Sequence, residues 1–527
     1  MEKGFLALVL HNHLPFIRHP EHDEFLEERW LFEASLETYL PLLQILEQLH
    51  LDGVDYKITL SFSPSLLTMF NDPLLQNRFQ KHMEKLLELG DKEINRTRGL
   101  QEFSLAEMYK NRIFKMYQFY QERCRGNIIN ILRDLNSTGK IELITCAATH
   151  GFLPFMEQKA AKAQIATAVS TFQKLFNFVP QGMWLPESAY VPGLEEILKE
   201  FGIKYFFLET HGIIYANPPS NTHSIYAAVQ CPNGVTAFGR DPESSKQVWS
   251  KDEGYPGDFN YREYYRDIGF DLPLEYIANY IHPDGIRLNT GFKYYKITGK
   301  NNHKELYDPF AAREKAAEHA GNFIFNRQKQ IEHLVSLMDR KPLVTAPFDG
   351  ELFGHWWFEG PVWLDILLRK IHYDQDIIKT ILPSQYLNIY PENHVAQPAM
   401  SSWGHNGYFE VWLNDSNDWV YRHLHKAAGF MTELADNYPH TSGIEKKALQ
   451  QAARELLLAQ ASDWAFIMKT NTMVDYAKKR TIDHLGRFFK IYNDIKNKQI
   501  NAEWLDIINK KNNIFPEIDY TLYASTK

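Results

Sequence analysis

Four short stretches of this chain concentrate side chains able to bind ligands or break bonds. The first is His11-Asn12-His13-Leu14-Pro15. Residues two apart on a strand share a face, so both imidazoles would converge where the strand ends. Such a pair can begin a zinc or iron site, or hydrogen-bond sugar hydroxyls. His150, His355 and Asp349 could complete a metal site, while no HExxH or cysteine-rich partner motif accompanies the pair; spacing alone leaves metal open. The second stretch, Gly182 to Tyr190, sets Glu187 in a turn between Trp184 and Tyr190. Rings around a carboxylate desolvate it, which tunes its pKa and frees it to attack; the rival is a solvated loop residue capping a helix near Pro192.

The third stretch, TAPFDGELFGHWW at 345–357, follows a buried-type strand with Asp349, Glu351, His355, Trp356 and Trp357. Its glycines would let a ligand approach the backbone closely. Spacing does not say which carboxyl is the acid. The fourth is Ser402-Trp403-Gly404-His405-Asn406-Gly407-Tyr408, followed by Trp412, Asn414, Asp415 and Trp419. Indoles beside amides are poor core material because each N–H needs a partner. Rings stacked on pyranose faces with amides on hydroxyls would use them all; a protein–protein patch is the alternative.

Strand-like runs must position these groups: FLALVL at 5–10, YKITLSFS at 56–63, IELITCA at 141–147, KYFFLE at 204–209 and PLVTAPF at 342–348. Amphipathic stretches at 32–49 and 105–135 separate the early ones. Strands alternating with helices imply a parallel sheet covered by helices. Each run ends in polar residues (His11 and His13, Ser61 and Ser63, His150, Glu209 and His211, Asp349 and Glu351), as at the carboxyl ends of barrel strands. The middle, about 212–300, lacks sustained periodicity, and FGRDPESSKQVWSKDEGYPGD at 238–258 reads as a functional loop. Beyond about 400 the pattern turns helical, at 446–469 and 481–497.

Composition narrows the classes. The 527 residues are 44% hydrophobic and 23% charged, which suits a globular chain of two to four units and excludes long disorder. A net charge of −8 argues against nucleic acid or an anionic membrane held by bulk charge. Cys124, Cys146 and Cys231 are widely spaced and odd in number, which fits a reducing interior; a short apolar start without a cleavage site and no long apolar span point to the cytoplasm. Aromatic residues reach 14%, and six of the eleven tryptophans (Trp184, Trp356, Trp357, Trp403, Trp412 and Trp464) lie in or beside the four motifs. That distribution favours a sugar-stacking cleft over a merely dense core.

HNHLPF, ATHGFLP, MWLPESAY, FDGELFGHWW and LLLAQASDWAFIM together resemble the five sequence regions of glycoside hydrolase family 57, most of all its α-1,4-glucan branching group, from residue 5 to about 490. The resemblance implies an α/β fold: an incomplete (β/α)7 barrel with a small inserted domain and a C-terminal helical domain. The catalytic part would span 1–400, with an inserted region at about 190–260 and a mobile loop near 228–250, and the helical domain 401–527 would contribute to the cleft. It also implies retention of the α-anomer through a covalent glycosyl-enzyme, with no metal or other cofactor. By resemblance Glu187 is the nucleophile and Asp349 the acid/base. His11, His13, His150 and His355 match the donor subsite, Asp463 a sugar contact, and Trp403 and Trp412 glucan-holding rings. Trp184, Arg262, Phe270, Trp356 and His405 complete the expected binding set. The partner would be amylose, amylopectin or glycogen, and the protein a monomer or small homo-oligomer.

Two departures bear on the product. Branching relatives carry Tyr in the mobile loop, where this chain reads Val229-Gln230-Cys231-Pro232, and Trp in the DIGW segment, where it has Phe270. The loop ring would guard the intermediate from water, so its loss lowers the expected transferase efficiency; an α-amylase-like hydrolase or a weakly branching enzyme is the near alternative, with a 4-α-glucanotransferase of the same family beside it. A metal-dependent sugar deacetylase or amidohydrolase built on His11 and His13, or a glucan-binding protein without turnover, are the more distant ones.

Overall fold

The computed structural model describes residues 2–219, 223–250, 252–299 and 303–525. Its strands are β1 (Gly4–Asn12), β2 (Ile58–Phe62), β3 (Ile141–Cys146), β4 (Gly182–Trp184), β5 (Tyr205–Leu208), β6 (Val229–Gln230), β7 (Thr236–Gly239), β8 (Leu343–Asp349), β9 (Ile378–Thr380) and β10 (His394–Val395). They form one sheet in the order β10-β6-β7-β5-β4-β3-β2-β1-β8, with β9 beside β1. From β7 through β8 every ladder along this order is parallel. All nine residues of β1 are buried, the mark of a parallel strand covered on both faces. β7 and β8 approach each other where Asp241 N–H donates to Thr345 O (2.9 Å), without forming a ladder among the described residues. The result is an incomplete (β/α)7-type barrel.

The expected strand runs fall on β1, β2, β3, β5 and β8. The helical stretch 32–49 is interrupted by a π-helical turn, Ser35–Tyr39, between helices Glu28–Ala34 and Leu40–Leu51. The stretch 105–135 is two helices, Phe103–Glu122 and Ile128–Asn136, parted where Arg125 and Gly126 adopt positive φ. After residue 400 the chain is helical, and helix Gly443–Ala459 is enclosed so fully that its Glu455 is buried. That carboxylate faces His484 Nδ1 (2.6 Å) and accepts from Asn512 (2.7 Å) and Gln451 (2.8 Å), which is how a buried charge is tolerated.

The region 190–260 departs from the expectation of a separate insertion: it supplies β5, β6 and β7 to the sheet itself. The supposed loop at 228–250 is a tight hairpin, with Val229 and Gln230 paired antiparallel to Ala237 and Thr236, running through β7 into helix Pro242–Trp249. Lys251, within the 238–258 run, lies outside the described residues. Cys231 is buried, and its N–H and C=O close the turn onto Val235 and Gly234. Because the turn precedes β7, it sits at the opposite sheet edge from the strand ends that carry the polar residues.

Candidate active site

The carboxyl ends of the parallel strands open on a cleft of about 980 Å³ lined by His11, His13, His150, Glu187, Asp349 and Glu351, among others. The C-terminal region closes it with Trp403, His405, Trp412, Asp463 and Phe466. A cavity of this size, with a few convergent polar groups, is large enough for an oligomeric ligand.

Two alternations meet at the floor. β1 pairs with β2 so that His11 lies beside Ser61. His11 Nδ1 is 3.1 Å from Ser61 Oγ, and two residues on, His13 Nδ1 is 2.7 Å from Ser63 Oγ. His11 stacks on the buried ring of Trp184 (4.8 Å, 11°), so Trp184 supports the floor from below. His13 Nε2 faces both oxygens of Asp463 (3.1 and 3.0 Å). Burial alone would lower the His13 pKa, but Asp463 raises it above the ordinary value.

Glu187 sits in the left-handed region (φ 63°), as does His150 (φ 56°), conformations that cost a non-glycine residue on the order of 1 kcal/mol. Backbone donors from the C-terminal region hold both turns: Trp403 N–H to Glu187 O and Ser462 N–H to His150 O, each 3.0 Å. Both Glu187 oxygens are also engaged. Trp403 Nε1–H donates to Oε2 and Ser462 Oγ–H to Oε1, each at 2.7 Å.

Proton accounting then orients a whole chain. Ser462 has one hydrogen and spends it on Glu187, so it accepts from His150 Nδ1–H (2.8 Å). His150, neutral because burial pushes its pKa well down, must accept at Nε2 from His11 Nε2–H (3.0 Å). His11, likewise neutral, accepts from Ser61 Oγ–H at Nδ1. Every donor from Ser61 onward points toward the Glu187 carboxylate.

The two carboxyls after β8 separate by environment. Glu351 Oε1 accepts from His13 N–H (3.1 Å) and from Tyr39 Oη–H. Asp349 has no such partner among the described residues and lines the cleft. Burial lifts Asp349 to about 6, opposed by Arg240 and His13, and lifts Glu351 to about 7. Burial also lifts Glu187 to about 7 against the pull of its two donors. Carboxyls titrating this high are poised for acid–base work near neutrality.

Two trios, His11/Cys146/His150 and His13/His150/Asp463, bring candidate metal-binding atoms within 4.8 Å of one another. Their geometry does not fit a metal. His13 and His150 stack face to face (3.8 Å, 8°), so their in-plane lone pairs run side by side instead of converging. His11 and His150 are joined nitrogen to nitrogen by a proton.

Besides the buried Trp184, four expected residues lie outside the cleft lining. His355 Nδ1 pairs with Glu37 (2.9 Å), and the Arg262 guanidinium lies 3.5 Å from the same carboxylate and over the ring of Phe358. Burial would raise Glu37, but Arg262 and His355 draw it down to about 2. Trp356 stacks on Tyr264 (4.9 Å), and Phe270 is exposed. The cause is local: the chain turns through Gly350–Leu352 and then through Gly354 at φ 117°, where a Cβ would sit 1.9 Å from Glu37 O. Gly350 likewise admits the side chain of Asn12, 2.0 Å from where a Cβ would stand. These glycines therefore accommodate the protein's own elements, not a ligand. Trp412 is also more enclosed than expected, with its ring covered by Phe152 (5.0 Å).

A parallel barrel whose strand ends bring carboxyls, imidazoles and indoles into one cleft defines a carbohydrate-active enzyme. Residues 7–401 match the model of glycosyl hydrolase family 57, and residues 423–523 match that of the 1,4-alpha-glucan branching enzyme C-terminal region. The chain belongs to glycosyl hydrolase family 57. The 1,4-alpha-glucan branching enzyme of Thermococcus kodakarensis is 32% identical over 99% of this chain and 79% of its own. Its crystal structure in complex with glucose and additives superposes with a TM-score of 0.89, covering 100% of this chain and 97% of that one. The structure of a novel alpha-amylase from Thermotoga maritima is 41% identical, with a TM-score of 0.93 and 99% of both chains covered.

Proposed function

We propose that this protein is a retaining 1,4-α-glucan branching enzyme. The observation that carries the reading is the stretch 423–523, which matches the branching-enzyme C-terminal model and supplies Asp463 to the barrel cleft. The catalytic part is residues 1–400, and residues 401–527 complete the site. An oxygen of Glu187 attacks the anomeric carbon while the Asp349 carboxyl protonates the departing 4-oxygen, breaking the α-1,4 bond. The 6-hydroxyl of a second glucan then gives its proton to Asp349, and its oxygen displaces Glu187, forming an α-1,6 branch. His11, His13, His150 and Asp463 face the donor sugar, and Trp403 orients Glu187. Water attacking the same ester would give hydrolysis instead.

Incubation with amylose followed by a debranching enzyme should release new short chains. Similarity to the Thermotoga alpha-amylase and a hairpin turned away from the cleft favour a second reading, hydrolysis. Rising reducing ends with no debranchable product would establish it. Three unpaired buried cysteines support a reducing compartment, and no helix among the described residues is long and apolar enough to cross a membrane.

A further inference from the structure

Away from the catalytic cleft, a second cavity of about 400 Å³ lies between helix Glu28–Ala34, helix Pro73–Arg96 and the turn around His282. The long helix presents Arg78, Lys81, His82 and Lys85 to it from one side, because residues three, four and seven apart share a helix face. Arg29 and His282 face them from the other two elements. Three of these cations are already in ion pairs: Arg78 forks onto Glu28 (2.7 and 2.8 Å), Lys85 reaches Glu24 (2.6 Å), and Arg29 Nε lies 3.9 Å from Glu33.

Donors nonetheless remain. Lys81 is exposed and has no carboxylate within ion-pair distance among the described residues. Arg29 donates Nη2 to Asn289 O (3.0 Å), and its buried Nε, though ion-paired with Glu33, makes no hydrogen bond among the described residues. His82 is 6% exposed and lies against Phe32 (5.6 Å). It makes no hydrogen bond among the described residues. His282 Nδ1 accepts from Asp284 N–H, which leaves Nε2–H as its donor. Asp23 is the only lining carboxylate left without a cation. In a chain of net charge −8, the lining holds four full cations against three carboxylates, with hydrogen-bond donors left over.

We propose that this cavity is a binding site for a phosphate monoester of about hexose size. A phosphate dianion offers several acceptor oxygens at once, which suits a guanidinium, an ammonium and two imidazole donors arriving from different elements. The volume exceeds what inorganic phosphate fills, and Phe25 and Phe32 give the remainder of the ligand an apolar wall. The site also adjoins the catalytic machinery. Glu28, Arg29 and Phe32 belong to the helix that continues through the π-helical turn to Tyr39, the residue bonded to Glu351 beside Asp349. His82 lines a further small cavity with Glu37 and His355 on that same helical segment's far side. Occupancy is therefore expected to change the rate of glucan cleavage as well as to register as binding.

The test is calorimetric titration of the full chain with glucose 6-phosphate, inorganic phosphate and glucose, in the presence and absence of maltoheptaose. Glucose 6-phosphate should bind saturably and at least tenfold tighter than either fragment, independently of maltoheptaose. Lys81→Glu, a surface change, and His82→Phe, which keeps the packing on Phe32, should each weaken it at least tenfold while glucan cleavage without the ester persists. Equal binding of glucose, competition by maltoheptaose or indifference to Lys81→Glu would overturn the assignment. Saturation with no change in cleavage rate would overturn its regulatory half. None of these readouts depends on whether the glucan product is branched.

Discussion

Ser462 Oγ stands 2.7 Å from Glu187 Oε1 and 2.8 Å from His150 Nδ1, so a single hydroxyl joins the candidate nucleophile to His150 in the turn after β3 and, through it, to His11 of β1. It lies next to Asp463, the residue expected from the sequence to contact sugar. Removing the hydroxyl leaves Glu187 with one donor and strands His150 Nδ1–H. A hydrogen bond to a charged group is worth about 1.5–3 kcal/mol. Ser462→Ala should therefore lower kcat on amylose by about 10- to 100-fold, with KM little changed, and Ser462→Thr should restore much of the loss. A Ser462→Ala enzyme with unchanged kcat would remove the relay from the mechanism.

Asp349 and Glu351 are two residues apart and both half-buried, yet only Glu351 is tied to Tyr39 and to the His13 N–H. Asp349→Asn should cost about 10²–10⁴ in kcat, the usual worth of a positioned general acid. An added small nucleophile such as azide should not compete with a missing acid on an unactivated glucan, so the defect should persist there. Glu351→Gln keeps the shape and can still accept from Tyr39, and it should retain most activity while unfolding at lower temperature. Equal losses in the two variants would contradict this division of labour.

How much of this arrangement could be read from the chain follows from the geometry of parallel strands. The His11/His13 alternation placed both rings on one face, and β1 carries them there because its pairing with β2 also brings up Ser61 and Ser63 with the same spacing. Those two serines were visible at a strand end; what the chain could not show was the register that makes them partners. His355 and Trp356 were grouped with Asp349 because they follow it closely, but proximity in sequence ends where Gly350 and Gly354 redirect the backbone toward Asn12 and Glu37. The segment at 228–250 lacked periodicity because a two-residue strand and a tight turn are too short to show any. Arg240 and Glu209, paired at 2.8 Å on the cleft wall, stand outside the four motifs, although Glu209 ends an expected strand and Arg240 lies in the 238–258 run.

The carboxyl pair sets a pH window whose sign can be worked out directly. Productive attack needs Glu187 ionised and Asp349 protonated, one proton shared between two groups raised by burial to about 7 and about 6. Below about 6 both hold protons and no nucleophile remains. Above about 7 both are ionised and the leaving oxygen receives no proton. Even with its two donors Glu187 stays the higher of the pair, so the single proton rests mostly on Glu187 and the productive placement on Asp349 is the minority form. The profile of kcat/KM should be a bell with its maximum between about 6 and 7, its limbs belonging to the pair and not to either residue. Asp349→Asn should abolish the alkaline limb.

Trp249 and Phe466 line the cleft from opposite sides, one at the end of helix Pro242–Trp249 and one on helix Ser462–Thr470. Both are large apolar side chains left substantially exposed, at 60% and 45%, and neither ring stacks on another among the described residues. Their faces are thus free for a ligand, unlike those of Trp184 and Trp412, which His11 and Phe152 already cover. A ring contact of this kind contributes about 0.5–1.5 kcal/mol beyond area burial. If the rings hold glucan equally in the ground and transition states, Trp249→Ala and Phe466→Ala should each raise KM for amylose by about 2- to 12-fold with kcat nearly unchanged. Initial-rate kinetics with amylose and with maltotriose separate the outcomes. A chain too short to span the cleft should not register the loss, whereas a ring needed only for stability would lower the rates on both substrates together.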